Sequence, residues 1–247
     1  MHSLLLALTS LLNRLFGPAV TALLNKLNIY PLHPAAPISD RLTLELVVAV
    51  ILIAFFIVVR STLSVEKPGS LQHLAEMVHG FVDEQAQSVM GAHGYESHLP
   101  FVTTILLFVL LCNIIGLLPG IETPTASPVV PLGIAIVTFF YYNYYGVRVQ
   151  GPIGYFKHFM GPVIWISPLM FPIEIISNLT RVMSLTVRLY ANMFASDLLT
   201  LVFFSMIPIG IPVIFLGLHL GVALIQAYVF MLLAMIYLGE ATAHESH

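Results

Sequence analysis

The sequence predicts an all-α membrane protein of about five transmembrane helices, with one or two interfacial amphipathic helices. Two bulk properties and one pattern carry this expectation. Of 247 residues, 58% are hydrophobic and 9% are Asp, Glu, Lys or Arg, where a soluble domain carries about 25% charged residues. The mean hydropathy is +0.95. So few charges cannot cover a surface in water, so most of the outside faces lipid. The pattern is a series of apolar runs close to the ~20 residues that cross a bilayer, separated by Pro, Gly or charged residues. A net charge of −3 suggests no nucleic-acid partner. Cys112 is the only cysteine, which excludes an intramolecular disulfide and a multi-cysteine metal site. It is expected to be a small buried apolar residue.

Residues 1–41 form an N-terminal segment ahead of a polytopic domain, 42–247. Leu4, Leu8, Leu11, Leu15, Ala19 and Leu23 recur at helical spacing, with Ser10, Asn13, Arg14, Asn25 and Lys26 between them. No Lys or Arg precedes the apolar stretch, and Arg14 soon interrupts it. An interfacial helix bent at Gly17-Pro18 is therefore expected rather than a signal peptide. Pro31, Pro34 and Pro37 then mark an extended linker.

The first span runs from Leu42 to Val59 and ends at Arg60, with Glu45 near its start. Between residues 66 and 90, Leu71, Leu74, Met77, Phe81 and Val82 recur every three to four residues among Gln72, His73, Glu76, Asp83 and Glu84. That pattern predicts an amphipathic helix lying on the membrane. The second span, Phe101 to Leu118, stops at Pro119-Gly120. The third, Pro128 to Tyr145, ends in aromatic residues suited to an interface belt. A fourth, Pro168 to Ile207, is broken by Pro208 and Pro212, and a fifth runs to about Leu238. The last two are expected to form a long hairpin. No internal repeat or low-complexity tract is present.

Basic residues set the orientation. Arg60 and Lys67 flank the exit of the first span, and Arg148 and Lys157 follow the third. The loop at Glu122 and the turn at Pro208 have none. The N-terminus is expected outside and the C-terminus inside, although Arg14, Lys26 and Arg41 then lie outside.

The fourth span carries the chemistry. Glu174, Arg181, Arg188 and Asp197 lie in a run rich in Leu, Ile, Met and Phe. One charge at a helix centre costs about 2.5–3.5 kcal/mol on insertion scales, so four of them point to a surface that lines water or faces a partner. At about 100° per residue, Glu174, Ser177, Arg181, Ser184, Arg188 and Asn192 form one polar stripe. Thr180 lies beside it. Asp197, nine residues beyond Arg188, points the opposite way. In the last span His219 and Gln226 share a face, and Tyr237 lies on the same stripe. Taken singly, these residues have plainer readings. Glu174 could pair with Arg181 and leave Arg188 to snorkel, His219 could be a packing histidine, Ser184 could only allow close approach, and Tyr237 could anchor the interface. The combined stripe is much harder to explain as incidental.

The segment Ser184-Leu-Thr-Val-Arg188-Leu-Tyr-Ala-Asn192-Met-Phe-Ala195, followed by Asp197, resembles the signature of subunit a of F-type ATP synthases. His219, the run from Leu224 through Gln226 to Leu233, and Asn113-Ile-Ile-Gly-Leu-Leu-Pro119 extend the resemblance, which covers about residues 40 to 240. Bacterial members often have Gly before the motif Asn and Glu near position 197, where this chain has Ala191 and Asp197.

The resemblance implies a proton-translocating stator in the inner membrane of a bacterium, non-catalytic for ATP itself. It implies a c-subunit ring, b subunits of a peripheral stalk and the rest of the ATP synthase as partners, with the last hairpin against the ring. No cofactor or metal is implied. Arg188 would face the ring carboxylates. A guanidinium cannot lose its proton in this range and so cannot relay one between two channels. Asp197, His219 and Gln226 would serve the proton pathway on one side, and Glu174, Ser177, Thr180, Arg181 and Ser184 on the other, with Asn192 also on the pathway. A proton-coupled permease with Arg188 in its binding site is the alternative, although no internal repeat of the kind found in that class is evident. A non-catalytic membrane scaffold would leave the stripe unexplained.

Overall fold

Every long element of the computed structural model is a helix, and the structure describes residues 2–26, 37–64, 69–91, 94–118, 121–160, 167–206 and 211–242. In chain order these are α1 (His2–Lys26), α2 (Asp40–Ser61), α3 (Ser70–Met90), α4 (Leu99–Ile115), α5 (Val129–Met160), α6 (Ser167–Met206) and α7 (Ile211–Thr242). Two short 3₁₀ turns, Tyr95–His98 and Pro124–Ala126, precede α4 and α5. Pro31, Pro34, Lys67, Pro119-Gly120 and Pro208, which the sequence marks as breaks or charges, lie outside the described residues.

By length and composition, five helices can cross a membrane. The number agrees with the sequence reading, but the set differs in two places. The stretch Leu5–Lys26 of α1 qualifies, and the helix runs through Gly17-Pro18 without ending there. Its bonds to α2 fall at the first turn of α2 rather than along its length. The Thr9 hydroxyl donates to Thr43 at 3.1 Å, while Asn13 donates to the Ile38 carbonyl at 2.9 Å and accepts from its N–H at 3.0 Å.

Conversely, α5 falls short of that apolar measure, yet it runs beside the hairpin from the level of Asp197, where Thr123 bonds, to that of Ala241, whose carbonyl accepts from Gln150 at 3.2 Å. Tyr141, Tyr142, Asn143, Tyr144 and Tyr145 dilute its apolar character with hydroxyls and an amide. The helix also continues past Tyr145 to Met160, broken at Gly151, whose φ of 75° suits glycine.

α3 has two faces. Val82 and Ala86 are buried, and Gln85 accepts a hydrogen bond from the Tyr228 hydroxyl of α7 at 2.9 Å. Leu71, Leu74, Met77 and Phe81 remain exposed, which suits a helix resting its apolar side on the membrane surface.

The core joins α3 to α7. Val102 and Val109 of α4, Ala135 of α5, and Leu189 and Met193 of α6 pack with Ala223, Ala227, Met231, Ala234 and Met235 of α7. In lipid, helices associate through close packing and interhelical hydrogen bonds, which small residues favour. The alanines of α7 provide that close approach on the side facing the bundle.

α6 and α7 form an antiparallel hairpin, fixed at three levels. Phe203 stacks on Phe215 at 3.9 Å, Asp197 meets His219 at 3.4 Å and Arg181 meets Glu240 at 2.6 Å. α6 has 40 residues, about 60 Å at 1.5 Å per residue, against a hydrocarbon core about 30 Å thick.

Candidate functional site

Polar side chains gather at two levels of the hairpin. At the level near the α6–α7 turn, α6 presents Asp197 and α7 presents His219, which is 1% exposed. Asp197 Oδ1 lies 3.4 Å from His219 Nδ1. It also accepts a 2.8 Å hydrogen bond from the Thr123 hydroxyl, and the Thr123 N–H reaches Oδ2 at 3.3 Å. The far ring nitrogen of His219, Nε2, lies 3.4 Å from the Asn113 carbonyl. Asn113 in turn donates to the Ala223 carbonyl at 3.3 Å and accepts from the Thr125 hydroxyl at 2.6 Å. A buried polar group costs free energy unless it is bonded, and here each group has a partner.

Asp197 and His219 line a cavity of about 630 Å³. Arg41 and Glu122 stand on its wall, joined by a 2.6 Å ion pair. Thr200 and Ser205 add hydroxyls, and Phe194 and Phe204 add apolar surface. Such a cavity can hold water against a carboxylate and an imidazole, side chains able to take up and release protons.

At the opposite end of the hairpin, Arg181 Nη1 pairs with Glu240 Oε2, and its guanidinium lies 5.0 Å from the Tyr237 ring centroid. Glu174 is half-buried and accepts from Asn178, whose Oδ1 accepts from the Tyr142 hydroxyl at 3.0 Å. Glu174 and Arg181 therefore each bond elsewhere. Ser177 and Ser184 are half-buried. Thr180 is exposed, with its hydroxyl donated to the Ile176 carbonyl at 2.8 Å.

Between the two levels lie Arg188 and Asn192 on the outer face of α6, both exposed. Among the described residues Arg188 has no hydrogen bond or ion pair. Gln226 of α7 is 7% exposed and forms no hydrogen bond with Arg188.

The sequence singles out Asp197 and His219 but does not reveal Thr123, Asn113, Arg41, Glu122 or Glu240 as neighbours or counterparts. Asn113 was detectable, being the one amide in the apolar run of α4. Thr123 carried no such signal, because its role depends on a loop folding over a helix 74 residues away.

A model of the ATP synthase A chain family matches residues 42–239. The chain belongs to that family. It is 52% identical to ATP synthase subunit a of Koribacter versatilis (strain Ellin345) over 236 residues, 96% of each chain. It is 46% identical to ATP synthase subunit a of Solibacter usitatus (strain Ellin6076) over 211 residues, 85% of this chain and 90% of that one. The corresponding subunit of Campylobacter jejuni subsp. doylei is 42% identical over 198 residues, 79% of this chain and 88% of that one. As an ATP synthase subunit a, the chain is a multi-pass membrane component of the ATP synthase complex, acting in the proton transport coupled to ATP synthesis.

Proposed function

We propose that this subunit is the stator through which protons reach and leave a rotating ring of c subunits, by two half-channels separated by Arg188. One observation carries the reading. Arg188 is exposed on the outer face of α6 and unpaired among the described residues, while polar clusters lie on either side of it along the helix. A charge facing lipid alone is costly, so the face of α6 that carries Arg188 is one that a charged partner covers.

The c-ring carboxylates are that partner. Each crosses lipid neutral and ionises opposite Arg188, which stabilises the anion without offering a proton of its own. The cavity at Asp197 and His219 is the outer half-channel. The stripe of Glu174, Ser177, Thr180, Arg181 and Ser184 serves the inner one, and Asn192 and Gln226 flank Arg188 between them. The driving energy is about 2.3 kcal/mol per charge per 100 mV. The chain sits in a bacterial inner membrane with its N-terminus outside and its C-terminus in the cytoplasm, and b subunits of the peripheral stalk hold it against the torque.

Purification through a tag on this chain should bring down a small two-helix ring protein, and an Arg188→Ala variant should retain that ring but lose ATP-driven proton pumping. A chain that purifies without a ring would refute the proposal.

A further inference from the structure

The loop between α4 and α5 makes an unusual approach to the outer cluster. Thr123 is wholly buried, and both its hydroxyl and its backbone N–H donate to the two oxygens of Asp197. The surrounding structure holds this residue in place from three directions. Next in the chain, Glu122 is tied to Arg41 at the start of α2. Two residues on, the buried Thr125 hydroxyl is tied to Asn113 of α4 at 2.6 Å. Beneath it, Gly116 at the end of α4 leaves the space that Thr123 fills, because a Cβ there would overlap the Thr123 hydroxyl and crowd its Cβ. No simple packing need calls for a hydroxyl at this point, since valine has the same shape.

We infer that Thr123 is a positioning residue of the proton path, holding the Asp197 carboxylate toward His219. A carboxylate on a helix has a broad terminal torsion. Without Thr123 it is free to turn into the 630 Å³ cavity or toward the Arg41 side. With two donors on its two oxygens, one oxygen stays 3.4 Å from His219 Nδ1. Proton passage between the two groups then needs no prior reorientation, since holding reacting groups in place lowers the barrier to transfer. Thr123 does not carry the proton. It acts through Asp197.

This inference rests on the outer half-channel proposed above, and one set of variants separates the two. Thr123→Val removes the hydroxyl at constant shape, Thr123→Ser keeps it, and Asp197→Asn tests the channel itself. Passive proton conduction is measured through membranes stripped of the soluble sector and normalised to assembled complex. Thr123→Val should conduct about tenfold more slowly, the effect of losing one hydrogen bond to a charged group, and Thr123→Ser should restore most of the rate. Should Thr123→Val fail to assemble, Thr123→Ala is read in its place against Thr123→Ser. If Asp197→Asn is slow while Thr123→Val matches the parent, or if serine is as slow as valine, the positioning role is overturned and the channel stands. If Asp197→Asn conducts like the parent, the outer channel falls and the positioning role falls with it.

Discussion

Arg181 is joined across the hairpin to Glu240 at 2.6 Å, with its guanidinium over the ring of Tyr237. The two arginines of α6 are seven residues apart on one stripe, yet they differ in kind: one is paired and the other is exposed and, among the described residues, unpaired. The pair at Arg181 is itself half-exposed, with side-chain exposures of 24% and 55%, so its worth is that of a surface ion pair, up to about 1 kcal/mol. Glu240→Gln should leave the complex assembled and lower its thermal unfolding temperature only slightly. Complete loss of the subunit from the membrane would show that the pair is essential to the hairpin.

For Arg188 the proposed role requires a charge that is never released. Lysine supplies the charge, but burial against a partner lowers its hold on the proton. Arg188→Lys should therefore assemble in normal amount and fail to pump protons when ATP is hydrolysed. Near-normal pumping, followed by the quenching of a pH-sensitive dye, would remove Arg188 from the central position.

At the outer level, Asp197→Asn and His219→Leu each take away one half of the pair held at 3.4 Å. Both should slow passive proton conduction, whereas Glu174→Gln should act on the inner side. Cysteines at 197 and 219, in a Cys112→Ser background, should react with a thiol reagent supplied from the outside, and one at Ser184 from the inside. Reaction of 197 and 219 from the cytoplasm alone would reverse the two channels.

Topology can be tested independently of transport. Glu122 and Arg148 are both exposed and lie near opposite ends of the fold. Cysteines placed at these two positions should label from opposite sides of the membrane with an impermeant reagent, Glu122→Cys from outside. Labelling of both from one side would refute the arrangement.

Helical periodicity was enough to reveal the stripe on α6, because a fixed angle per residue converts spacing into a face. It also put Asp197 on the side opposite the stripe, and the structure turns that side toward α7. What it could not supply was the identity of partners from other parts of the chain. Glu174, seven residues from Arg181, was one available partner in sequence, and the structure pairs Arg181 instead with Glu240, 59 positions further along. Thr123 and Asn113 reach the outer cluster across 74 and 106 positions, and no local pattern records such contacts. The composition of α5 explains a different difficulty: its tyrosines weaken the very signal by which a span is recognised.

The length of α6 decides what kind of machine the hairpin can serve. A straight helix of about 60 Å lying wholly within a slab about 30 Å thick would lean about 60° from the membrane normal. Arg181 and Asp197 are 16 residues apart, about 24 Å along the axis. On such a slant that separation becomes about 12 Å of depth and about 21 Å of sideways travel. A pore needs only depth. Under the two half-channels proposed above, entrances set apart sideways would oblige whatever carries the charge between them to move along the plane of the membrane, and one oblique helix would turn a vertical gradient into horizontal motion.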